Sequence, residues 1–170
     1  QLDNGQHHTI TARGSGSQTR FYVDGVEVCS INYKSTSDIY SIGNYQGGGQ
    51  RFAAELDNVQ IHTRALTDEE IRQVANGVKV SSGLAAYYNF EETSSQYYQD
   101  KSGNNRHATS SVYNNNNDRL RIESNNHVNI GSNWTISASF SDLVNGTSWR
   151  TLFRGKSGDH QIIINSAGLL

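Results

Sequence analysis

Hydrophobic and polar residues alternate with a period of two through most of this chain, in short runs separated by Gly, Asn and Ser clusters. The runs HHTITARG, QTRFYVDGVEV, DIYSIGN and AAELDNVQIH read as strands in the first half. LAAYYNF, RLRIES, HVNI, WTISASF, WRTLFRG and HQIIIN read as strands in the second. Asp24-Gly25 sits between two β-rich segments, the signature of a two-residue hairpin with a type I′ turn. In AELDNVQIH, Leu56, Val59 and Ile61 supply the apolar side. Asp57-Asn58 interrupts the alternation there, which predicts a β-bulge.

One segment changes period. Residues 67–76 read as a helix, with Thr67 as N-cap and Glu70 at capping-box spacing. Leu66 before the cap can staple against Ile71, Asp68, Glu69 and Glu70 favour the positive end of the helix dipole, and Gly77 suits the C′ position. Many short strands and one short helix predict an all-β, antiparallel sandwich.

The 170 residues fit one domain able to bury a core without disulfide staples. A net charge of −2 lacks the basic excess of a nucleic-acid binder, and no apolar run approaches the roughly 20 residues of a membrane helix. The single Cys29 excludes an intrachain disulfide and a multi-thiolate metal site; its place among strand residues predicts a buried free thiol. Gly, Ser and Asn supply the turns in a chain without proline. A start at Gln1 predicts a processed product or a fragment, and the Asn run of 112–118 reads as a surface loop within the domain. Two N-x-Thr sequons occur, at Asn133, expected to point into a strand, and at Asn145.

Two pieces, GLAAYYNFEE (83–92) and DKSGNNRHAT (100–109), together with the run from Leu120 to Phe140, resemble the opening and middle of a laminin-G-like (LamG, concanavalin-A-like) jelly-roll domain. His8 to Val28 and Ile42 to Ile71 resemble its closing part. The resemblance spans nearly the whole chain and implies a concanavalin-A-like jelly-roll sandwich. The order is reversed: a closing half (1–77), a junction (78–82) and an opening half (83–170). That order is expected of one sandwich over 1–170 that is circularly permuted, or of a chain cut across a tandem-repeat boundary. A permutant is reasonable because the first and last strands of a sandwich are often neighbours. Its ends are then expected in a hairpin between HQIIINSAGLL and QLDNGQHHTI, and a homo-oligomer or domain-swapped dimer stays open.

Asp100, followed by a Gly-Asn turn, can offer a carboxylate and several carbonyls to calcium, which prefers oxygen ligands in number. The resemblance adds Asp57 as the acid that meets this loop, with Asn105 and His107 contributing backbone carbonyls to a mainly structural calcium site. The alternative is an Asx-turn loop that holds no ion. ELDNVQ (55–60) is similar to the E-x-D-x-x-E strand of laminarinase-like β-glucanases, but Gln60 stands where the last acid is needed for retaining hydrolysis. Hydrolysis is therefore the third reading, and no enzyme is expected. The histidines do not group by spacing, and no G-x-S-x-G occurs.

Glycan recognition needs flat apolar faces beside hydrogen-bonding side chains. Candidates are Asn44, Tyr45, Gln46 and Arg51 in GNYQGGGQR, Tyr97 of the pair Tyr97-Tyr98, and Trp149 with Arg150 in TSWR; Trp134 is expected in the core. The resulting expectation is an extracellular, secreted carbohydrate-binding protein, a lectin or carbohydrate-binding module whose partners are glycans or glycoproteins. A protein-binding adhesion or matrix module of the same fold is the alternative.

Overall fold

The computed structural model describes residues 2, 4–43, 50, 55–93, 97–110, 120–122, 126–141, 143, 149–155 and 160–165. The strands are β1 (His8–Ser15), β2 (Gln18–Val23), β3 (Val26–Ile31), β4 (Ile39–Ile42), β5 (Glu55–His62), β6 (Leu84–Tyr88), β7 (Tyr97–Tyr98), β8 (Ala108–Ser110), β9 (Leu120–Ile122), β10 (Trp134–Ser141), β11 (Arg150–Gly155) and β12 (His160–Ile164). One helix, α1 (Asp68–Ala75), lies between β5 and β6. They form two six-stranded sheets, in the orders β3-β2-β1-β10-β5-β6 and β12-β11-β4-β9-β8-β7. The pairings between neighbouring strands are antiparallel. Residues before and after the junction contribute to both sheets, and the closing strand β5 lies directly beside the opening strand β6.

Local chemistry explains the elements. Asp24 and Gly25 both take positive φ (50° and 81°), as a type I′ turn requires, and Val23 pairs with Val26 across it. The expected bulge falls at Asn58, whose φ is 47°: Ser137 opposes Gln60 and Ser139 opposes Asp57, one residue out of step. On α1, Thr67 Oγ1 accepts from Glu70 N while Glu70 Oε2 accepts from Thr67 N, a complete capping box. Gly77 closes the helix at φ 78°.

The core lies between the sheets. Ile10, Ala12, Ile61, Ile136 and Phe140 of the first sheet meet Ile39, Ile42, Ile122, Leu152 and Phe153 of the second. Trp134 is fully buried as expected, and its Nε1–H donates to Ser35 O at 2.7 Å. Gly14, its cross-strand neighbour, leaves room for the indole: a Cβ at Gly14 would stand 2.3 Å from Trp134 Cε2. A second, smaller cluster of Tyr22, Leu66, Ile71, Val74 and Val80 seats the helix, and Leu66 with Ile71 forms the predicted staple.

Three expectations change. Cys29 is exposed, because β3 is an edge strand whose six residues are all exposed. Alternation predicts a residue's face but not whether a second sheet covers it. Asn133 is exposed in a bend before β10 rather than within a strand. β12 and β1 lie in different sheets, so they do not meet as the two arms of a hairpin. The loop 112–118 and Asn145 lie outside the described residues.

Candidate functional site

The DKSGNNRH loop is organised around one carboxylate. Asp100 is buried, and its Oδ1 accepts from Tyr87 N and Ser102 N, each at 2.9 Å. Its Oδ2 accepts from Arg106 N at 3.0 Å and lies 2.8 Å from Ser102 Oγ. Burial alone would raise the Asp100 pKa; the hydrogen bonds from Ser102, Tyr87 and Arg106 outweigh it and hold the carboxyl below its ordinary value. The loop is tied to β6 as well: Asn104 Nδ2 donates to Leu84 O (3.0 Å) and Arg106 Nη1 to Ala85 O (2.9 Å).

Asp57 is also committed locally. Its two oxygens accept from Asn58 N and Asn58 Nδ2, both at 2.7 Å. Asn58 Oδ1 in turn accepts from Tyr87 Oη at 2.7 Å. Tyr87 therefore links the two acidic regions, giving its hydroxyl proton to Asn58 and its amide to Asp100. Asn105 O accepts from Asn126 Nδ2 (3.3 Å), and His107 Nδ1 accepts from Asp100 N (3.1 Å).

This arrangement does not fit the expected calcium site. A calcium ion needs oxygens facing it, whereas both Asp100 oxygens already face N–H and O–H donors. As it stands, the loop is an Asx-type turn whose acid accepts from protein donors.

The glycan candidates separate into places. Asn44, Tyr45, Gln46 and Arg51 lie outside the described residues. Gln50, next to Arg51, is fixed: Thr151 N donates to Gln50 O (3.0 Å) and Thr151 Oγ1 to Gln50 Oε1 (2.7 Å). That contact ties the end of the GNYQGGGQR segment to β11, two residues from Trp149, which is 52% exposed. Arg150 turns inward instead. It is 3% exposed, and its Nη2 donates to Asn165 O at 3.1 Å. Of the pair in TSWR, Trp149 alone offers a face to solvent.

Tyr97, 47% exposed, sits on β7 with its ring 5.3 Å from the His107 ring. Tyr98 turns in against Phe90, at 5.5 Å. Four strand steps separate β7 from β11, about 19 Å along the sheet at 4.7–4.9 Å per strand. Tyr97 and Trp149 therefore belong to different surfaces. Sequence reasoning missed the Tyr97–His107 pairing; it depends on loop geometry, and no spacing signals it.

Glu55 is exposed at the start of β5, while Gln60 is fully buried in a structural role. Its Nε2 donates to Val78 O (3.0 Å) and its Oε1 accepts from Val80 N (3.1 Å). His62 continues the pattern, with Nε2 2.9 Å from Val80 O. The two side chains hold the junction against β5 as a neighbouring strand would.

Residues 1–72 match the family model of the concanavalin A-like lectin/glucanases superfamily, in its laminin-G form. That match, over less than half of the chain, supports a laminin-G-like domain, and two antiparallel sheets with one helix are consistent with a jelly-roll sandwich. Comparisons with curated proteins and with solved structures found no match.

Proposed function

We propose that this protein binds carbohydrate, as a lectin or carbohydrate-binding module, through the surface around Trp149. The observation that carries the reading is the pair of hydrogen bonds between Gln50 and Thr151. They tie Gln50, which neighbours the candidates Asn44, Tyr45, Gln46 and Arg51 in sequence, to β11 two residues from an exposed indole, and an indole face is the kind of surface on which a sugar ring stacks. The general lectin/glucanase-like fold supports the same class of ligand but does not choose it, because fold alone does not determine function. A secreted, extracellular setting goes with this reading. So does a permuted order of the halves, with β5 and β6 as the meeting of old last and first strands.

A glycan array probed with the intact chain tests the proposal. Binding to a coherent set of related glycans, lost in Trp149→Ala and kept in Tyr97→Ala, is the expected result. The reverse pattern would move the site to the Tyr97–His107 surface. A blank array would favour a protein-binding adhesion module, the reading supported by the exposed apolar residues Val26 and Val28 on edge strand β3.

A further inference from the structure

His8 stands in the middle of a run of three hydrogen-bonded side chains, none of which belongs to the glycan surface. Its Nδ1 lies 2.8 Å from Asp24 Oδ2 and its Nε2 lies 3.1 Å from Asn4 Oδ1. Asn4 Oδ1 also accepts from Gln6 N at 2.9 Å, as in an Asx turn. A backbone amide only donates, so the atom facing Gln6 N has to be the oxygen, which settles the orientation of the Asn4 amide. That oxygen only accepts, so the His8 contact is a donation from Nε2. Two donors converge on one carbonyl oxygen, and Asp24 orients the ring that supplies one of them.

The residue that follows is Gly5. Its φ is 74°, a Cβ there would meet nothing within 4 Å, and its N–H has no hydrogen-bond partner among the described residues. Asn4 is exposed, and its Nδ2 makes only a 3.5 Å contact with Gln6 Oε1. An unhindered amide nitrogen thus follows a side-chain carbonyl whose oxygen is set between two donors, the arrangement that stabilises negative charge developing on that oxygen. Asn76-Gly77 shows the opposite arrangement. Gly77 N donates to Val74 O at 3.0 Å and Asn76 Nδ2 donates to Arg72 O at 2.9 Å, so both nitrogens are committed to the end of α1.

We propose that Asn4-Gly5 is a self-modification site, at which the folded chain converts Asn4 to aspartate and isoaspartate through a cyclic imide, with Gln6 N and His8 Nε2 holding the oxygen that becomes negative. Gly5 N attacks Asn4 Cγ, and the new N–C bond places charge on Oδ1. The Cγ–Nδ2 bond then breaks. The proton lost from Gly5 N passes through solvent to the departing nitrogen, which leaves as ammonia. Water adds to either carbonyl of the imide and opens it, so the net change is one water in and one ammonia out. The glycan reading and this one stand on different residues and fail independently.

The test follows the intact chain in neutral buffer by peptide mapping, which separates aspartate and isoaspartate products at Asn4 and at Asn76. The same chain unfolded in guanidinium chloride gives the rate of each Asn-Gly step without the fold. Asn4 should convert several-fold faster in the folded chain than in the unfolded one, whereas Asn76 should convert more slowly when folded. His8→Phe keeps a ring beside Phe140 and removes the donor. It should slow Asn4 conversion in the folded chain about tenfold, the value of one hydrogen bond in a rate, and leave Asn76 unchanged. Should His8→Phe fail to fold, the folded and unfolded native chain still decide between the outcomes. An Asn4 rate in the folded chain no greater than in the unfolded chain would overturn the proposal. So would a folded His8→Phe that converts Asn4 at the native rate.

Discussion

Gln60 and Val80 are joined as two adjacent strands would be: the side-chain Oε1 of Gln60 accepts the Val80 amide at 3.1 Å, while its Nε2 donates to Val78 O at 3.0 Å. A side chain thus supplies the donor and acceptor that a backbone rung normally supplies. An amide can do both at once; a carboxylate cannot.

Gln60→Glu should therefore destabilise the domain by about 3 kcal/mol near neutral pH, through a lost donor and a buried charge facing a carbonyl. Urea unfolding of the two proteins measures the difference. The gap should narrow at acid pH, where the introduced carboxyl group is protonated and regains a donor. An equal gap at every pH would mean that the amide's donor is unimportant.

His62 makes the same junction pH-sensitive. Desolvation lowers its pKa below 6.5, against a raising contribution from its hydrogen bond to Val80 O. The folded state therefore binds the proton less readily than the unfolded chain. The His62 contribution is complete above pH 6.5 and is lost as pH falls below it towards the lower folded value. Stability measured from pH 8 to pH 5 should fall in this window, and His62→Gln should flatten the slope. The carboxylate Glu70, held at about 2 by its hydrogen bonds from Arg64 and Thr67, loses its own contribution only below about 4.5.

Asp100 should matter for stability without calcium. Asp100→Asn replaces an oxygen that accepts from protein donors with an NH₂ group, and a loss of about 2–4 kcal/mol is expected. Thermal unfolding of the native chain should give the same Tm in calcium and in chelator. A calcium-dependent rise that disappears in Asp100→Asn would show that the loop rearranges to receive the ion.

Gly14→Ala should be the most damaging one-carbon change in β1. The added Cβ would meet the buried indole of Trp134 at 2.3 Å, far inside contact distance. Overpacking of this kind costs about 1–3 kcal/mol. Denaturant unfolding followed by Trp fluorescence, with Gly16→Ala nearby as the comparison, checks the loss. The Gly16 position has open space for a Cβ, although its φ of 58° adds its own strain.

What the sequence made legible was local. Thr67 with Glu70, Asp24 with Gly25, and the break at Asp57-Asn58 each carry their structural consequence within a few residues, and each is found as expected. What it hid was long-range. Whether Cys29 would be covered depended on β3 standing at the exposed edge of its sheet, and whether Arg150 would point out depended on Asn165. Gln60 was read as a missing acid because its partners, Val78 and Val80, lie beyond an intervening helix. The Asp100 loop fell between these cases. Its turn chemistry was visible, but the protein donors that Asp100 accepts from, Tyr87 N and Arg106 N, were not.

The position of β10 between β1 and β5 has a consequence for synthesis. The first half of the chain emerges from the ribosome with its two strands unable to complete their sheet, since the strand that fills the slot between them spans Trp134–Ser141. At 5–20 residues per second, the roughly eighty residues from His62 to Ser141 keep that slot open for about 4–16 seconds. During that interval two unpaired strand edges are available to any passing segment, so the nascent chain, more than the finished domain, is where chaperone protection should matter most.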